Sequence, residues 1–103
     1  MTQEEYLNRL KSEFAECVKL SERKNSDYAD TLDAFANFRL IETLTRGNTG
    51  VAAGIIVRMS DKMQRIANLT RRDNAVADEK ITDTLRDLAI YSIILKIFLE
   101  EKK

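Results

Sequence analysis

The sequence predicts an all-α fold, an antiparallel four-helix bundle, on three observations. Its 103 residues include no proline and three glycines, Gly47, Gly50 and Gly54, and both residue types are poorly tolerated inside helices. Apolar residues recur at steps of three and four along four stretches, and no alternating stretch is long enough for a useful strand. The stretches are separated by short polar breaks, as in a bundle of antiparallel neighbours. The length fits one domain, 1–103, with a small core.

Helix one is expected from about Thr2 to Arg23. Thr2 and Glu5 have capping-box spacing, and Leu7, Leu10, Phe14, Cys17 and Val18 form its apolar face. The stretch "KNSDYAD" reads as a loop, because Asn, Ser and Asp compete for backbone hydrogen bonds. Helix two is expected from about Thr31 to Leu44, carrying Leu32, Phe35, Phe38, Ile41 and Leu44. "TRGNTG" is the clearest loop. Helix three follows from about Val51 to Thr70, with Ile55, Met59, Met63 and Ile66 inward. After the break "RRDNAVAD", helix four runs from about Glu79 to Glu101. Its end, "LAIYSIILKIFL", is apolar almost all round, so other subunits are the expected cover and a homo-oligomer through helix four is the expected state. The alternative is that helix one wraps that face within one chain.

Charge narrows the chemistry. The 17 basic and 17 acidic residues balance, which argues against a general nucleic-acid binder. Cys17 is the only cysteine and there is no histidine, so zinc sites, Cys/His pairs and Ser-His-Asp triads are excluded, as is a disulfide within the chain. "MTQEEYLNRLK" carries no apolar signal region and "LAIYSIIL" is too short to span a bilayer, so a cytoplasmic protein with no membrane association is expected.

The charges are also segregated. Arg46 to Arg72 holds six basic residues and one acid, Asp61, whereas Asp73 to Leu88 holds five acids against Lys80 and Arg86. In helix four, Asp83, Asp87, Tyr91, Ile94 and Phe98 share one stripe, which begins in carboxylates and ends in the core. If helices three and four form an antiparallel hairpin, Asp61 and Asp87 both lie about 12–14 Å from the turn and could face each other. Asp83 and Glu79 would lie nearer the loop. Such a set, Asp61, Asp83 and Asp87 with Glu79 as a fourth ligand or base, suits Mg²⁺, which keeps positions open for water and substrate phosphates. Arg58, Lys62 and Arg65 could then grip the phosphates of a nucleotide. Asn25, Asp27 and Tyr28 offer an amide, a carboxylate and a ring to a base or ribose. The same charges could equally pair within their helices or face solvent.

Three segments, "KNSDYAD", "VRMSDKMQRIANL" and "DEKITDTLRDLAIYSIIL", resemble in order and spacing the nucleotide modification associated domain family, small domains often encoded by phages. That family is similar in turn to the MazG-like all-α NTP pyrophosphatases. The resemblance implies an oligomeric, Mg²⁺-dependent helical protein that binds an NTP or dNTP and cleaves it between the α and β phosphates, in the host cytoplasm if phage-encoded. It carries metal ligation to Asp61, Asp83 and Asp87, supplies Lys62 beside Asp61, and places Asn25 and Asp27 near the site. Two departures stand out. Helix three offers Asp61 where the enzymes usually have a cluster of Glu, and Thr84 stands at the first acid of their second metal helix. Non-catalytic binding of a nucleotide or protein, or a purely structural oligomer, are the rival expectations.

Overall fold

The helices form where the sequence places punctuation. In this computed structural model, which describes residues 1–27, 35–71 and 79–101 and no side chains at 25–27, 37 and 79–80, the described residues form four helices and no strand: α1 (Gln3–Asp27), α2 (Ala36–Leu44), α3 (Val51–Thr70) and α4 (Glu79–Glu101). None of these is long and apolar enough to cross a membrane. The chain divides into two compact units, Met1–Leu32 and Asp33–Lys103.

The first unit holds α1. Its start is the expected capping box: the Glu5 N–H donates to Thr2 Oγ1 at 3.1 Å and the Thr2 N–H donates to Glu5 Oε2 at 3.0 Å. Its end is later than expected. The break expected at Lys24 is absent, and Asn25 and Asp27 belong to the last helical turn. Asn, Ser and Asp cost only a few tenths of a kcal/mol each in a helix, and a last turn leaves its carbonyls unpaired in any case. Tyr28, Leu32 and the expected start of helix two at Thr31 lie outside the described residues.

The second unit is built on the α3/α4 hairpin. Lys62 meets Asp87 and, one turn earlier on α3, Arg58 meets Tyr91, one turn later on α4, so the helices run antiparallel. Both have the bounds that periodicity predicts. The core combines Phe35 and Phe38 of the α2 end with Val51 and Ile55 of α3 and Phe98 of α4. Phe35 and Phe98 pack edge to face at 5.2 Å between centroids. Ile55 is the centre, at 0 % exposure. Met59, Tyr91, Ile94 and Leu95 pack around it.

In the second unit, two expected core positions face out. Met63 is 54 % exposed, because each four-residue step from Ile55 rotates about 40° and two steps carry it off the buried face. Leu44, the last residue of α2, is also exposed.

The loop after α2 closes with a Schellman motif. Gly47 N–H donates to Glu42 O at 2.8 Å and Arg46 N–H to Thr43 O at 3.1 Å. Arg46 occupies the left-handed position at φ 54°. Thr45 ties the loop further: its hydroxyl donates to Ile41 O at 2.8 Å and accepts from Thr49 N–H at 3.0 Å. α2 packs on α3 at Gly54, where a Cβ would lie 3.5 Å from Ile41 Cδ1, in ordinary van der Waals contact.

Candidate phosphate site on the α3/α4 hairpin

Three helices of the second unit meet at Arg58. Core packing sets its place: it lies three residues after Ile55 and four before Lys62 on α3, at the edge of the buried face. Its guanidinium sits over the Phe38 ring, 5.3 Å from the centroid, and donates to Tyr91 Oη at 3.4 Å. Phe38 and Tyr91 are themselves edge to face at 6.4 Å. No carboxylate among the described residues pairs with Arg58. Among the described residues, a half-buried cation is thus held by a ring face and one long hydrogen bond, which leaves most of its five N–H donors without a partner there.

One turn on, Lys62 Nζ lies 3.4 Å from Asp87 Oδ2, with both side chains about four-fifths buried, at 19 % and 21 % exposure. The expected level of the hairpin was right to within one residue, but the α3 side chain that turns to Asp87 is Lys62 and not Asp61. Asp61 is exposed, about 100° round the helix from Lys62, and has no partner among the described residues. The sequence held this signal. Lys62 is seven residues after Ile55, three after Met59 and four before Ile66, hence on the apolar face, and Asp61 is not.

The α4 stripe emerges from the core as it runs back towards the loop. Phe98 is buried, Ile94, Tyr91 and Asp87 are half-buried, and Asp83 is exposed. Arg65 is exposed as well. Thr84, at the position where the resemblance expects an acid, is 2 % exposed and so packs inside. The side chains of Asn25, Asp27 and Glu79, and all of Tyr28, lie outside the described residues. Among those described, no three acidic or cysteine side chains gather into a metal-holding group. The roles of Phe38 and Tyr91 as supports of Arg58 went unread, because both satisfy the core pattern. The clue is that Tyr91 follows Asp87 by one turn as Arg58 precedes Lys62.

In chemical terms, Arg58 and Lys62 form a short cationic ridge beside one half-buried carboxylate. Such a ridge suits an anion with several oxygens: a forked donor from Arg58 and a point charge from Lys62. Compared with family models, with curated proteins and with solved structures, the chain has no match.

Proposed function

We propose that the α3/α4 hairpin binds the phosphates of a nucleoside triphosphate, with Arg58 as the anchor, and that the protein is a MazG-like NTP pyrophosphohydrolase. The observation that carries this reading is Arg58 itself. It is half-buried, pre-oriented by Phe38 and Tyr91, and without a carboxylate among the described residues. An arginine held only to join helices gains little from its charge, whereas an anion site needs that charge uncompensated.

Mg²⁺ fits the site as a companion of the phosphates and not as the tenant of a protein cage. It is commonly held by one or two carboxylates plus phosphate oxygens. Asp83 and Asp87, one turn apart on α4, are the pair that would take it, and Asp61 and Glu79 remain candidates further out. When bound, the ion polarises a phosphoryl oxygen and acidifies a coordinated water. Lys62 has the complementary task. It shields Asp87 in the empty protein and turns to a phosphate oxygen, as a change of ion-pair partner, when nucleotide arrives. Arg58 keeps its place throughout and orients the triphosphate. The exposed Leu85, Ile93, Ile97 and Leu99 of α4 support the further reading that another subunit covers this helix.

A second reading rests on a separate observation. Asp87 is engaged by Lys62 and Asp61 turns away from it, which favours nucleotide binding without hydrolysis. One experiment tests both. The protein is incubated with Mg²⁺ and a panel of ordinary and modified nucleotides, and both binding and pyrophosphate release are measured. Release that disappears in Asp87→Asn supports the hydrolase, and binding without release supports the module. Triphosphate binding that is equally strong in Arg58→Lys, with an unchanged melting temperature, removes Arg58 as anchor.

A further inference from the structure

Arg58 and Lys62 are neighbours on one face of α3, but their charges stand in different states. Arg58 is held by the Phe38 ring and by Tyr91 Oη, and no carboxylate among the described residues pairs with it. Lys62 Nζ lies 3.4 Å from Asp87 Oδ2. The residues that hold them, Tyr91 and Asp87, are one turn apart on α4, as Arg58 and Lys62 are on α3. The two points of attachment are therefore about 6 Å apart along the hairpin. The first cation meets no anion among the described residues, and the second already has one.

An oxygen that draws Lys62 away from Asp87 exchanges one ion pair for another. Both side chains of the existing pair are about four-fifths buried, so a displaced Asp87 is left poorly solvated. The exchange therefore returns little. A single phosphate anchored at Arg58 does not span a helical turn and leaves the pair intact. A chain of three phosphates spans it. Once anchored at Arg58, it presents its far oxygens to Lys62 without a second cost of association.

We propose that Asp87 is an internal competitor for Lys62. In the absence of a divalent cation it holds down the affinity of the hairpin for a polyphosphate chain that reaches from Arg58 to Lys62, and it affects a single phosphate far less. This rests on Arg58 as a phosphate anchor, and adds what limits the affinity there and for which length of anion.

The test is calorimetric titration of the full chain with orthophosphate and with tripolyphosphate, in a chelator that removes divalent cations. Asp87→Asn should tighten tripolyphosphate about tenfold and orthophosphate by no more than about threefold. Asp83→Asn removes the same charge one turn away without freeing Lys62, so it measures the long-range field alone. Its gain should stay below about threefold for either anion. Adding Lys62→Gln to Asp87→Asn should cancel the tenfold gain. An equal gain for both anions overturns the proposal. So does an equal gain in Asp83→Asn, or a gain that survives Lys62→Gln. Circular dichroism checks the fold of each variant, and Asp87→Ser, which also removes the charge, serves in place of an Asp87→Asn protein that does not fold. Arg58→Gln separates the two readings, since it should weaken both anions by about tenfold or more. Unchanged binding in Arg58→Gln removes the anchor, and the competitor with it. Weakened binding in Arg58→Gln with no gain in Asp87→Asn leaves the anchor standing and overturns the competitor alone.

Discussion

Lys62 of α3 reaches Asp87 of α4 at 3.4 Å, and this contact fixes both the level of the hairpin and the state of the candidate site. The pair is mostly shielded from solvent, so removing one partner leaves a charge poorly solvated. Lys62→Met keeps the aliphatic stem and loses the charge; Asp87→Asn keeps the shape. Each should lower stability, by about 1–2 kcal/mol, with Asp87→Asn the costlier because Asp87 has a further interaction besides Lys62. Combined, the two should cost less than their sum by about 1 kcal/mol, read from a double-mutant cycle in urea. Additive effects would show that the contact carries no energy.

The loop after α2 offers a stabilising change. Arg46 sits at φ 54° in the C′ position that glycine occupies most easily. The left-handed conformation costs an ordinary residue about 1 kcal/mol. Arg46→Gly should raise unfolding free energy by roughly 0.5–1 kcal/mol, since the Schellman hydrogen bonds are made by backbone alone. A denaturation midpoint that falls would mean the Arg46 side chain contributes more than the backbone strain removes.

Such local signals explain what was legible. The bounds of α3 and α4 follow from polar punctuation and from the 3.6-residue period, and the start of α1 from one capping box. The hairpin level came from counting residues at about 1.5 Å each. Rotation about the helix axis is a finer quantity. A neighbour in sequence is about 100° away, so an argument from level alone selects Asp61 where the geometry selects Lys62. Met63 failed for the same reason, through drift of a four-residue repeat. The overlong α1 reflects a different limit, since propensity is a weak prior in a terminal turn. The Arg58 support was hidden because Phe38 and Tyr91 each serve the core and the site together.

Gly54 tests how close α2 and α3 are. A methyl group there would meet Ile41 Cδ1 at 3.5 Å, an ordinary contact. Gly54→Ala should therefore be neutral or stabilising by up to about 1 kcal/mol, through helix propensity. Gly54→Leu has no comparable room and should cost about 1–3 kcal/mol by pushing α2 away. Equal melting temperatures for the two variants would show that α2 does not hold this position.

Ile55 tests the core directly. It is fully buried among Phe35, Phe38, Val51 and Phe98. Ile55→Ala removes three carbons and leaves a cavity between three helices, at a cost of about 3 kcal/mol. Ile55→Val should cost about 1 kcal/mol. A small loss for Ile55→Ala would show that the unit collapses around the gap, and the support of Arg58 would then move with it.

Asp83 and Asp87 separate stability from function. Asp83 is exposed and has no partner among the described residues, so Asp83→Asn should change the stability of the empty protein by less than about 0.5 kcal/mol. Asp87→Asn should lower it through the loss of Lys62. If both carboxylates take Mg²⁺ alongside a bound triphosphate, the order changes on adding the ligands. The thermal shift caused by Mg²⁺ and nucleotide together should then shrink in both variants, by a similar amount, while nucleotide alone still shifts the Asp83→Asn protein. Thermal melts with and without each ligand read this directly. An Asp83→Asn protein that keeps the full Mg²⁺-dependent shift would leave Asp87 as the single ligand on α4. A full shift in both would remove Mg²⁺ from this hairpin and leave Arg58 and Lys62 as a phosphate site alone.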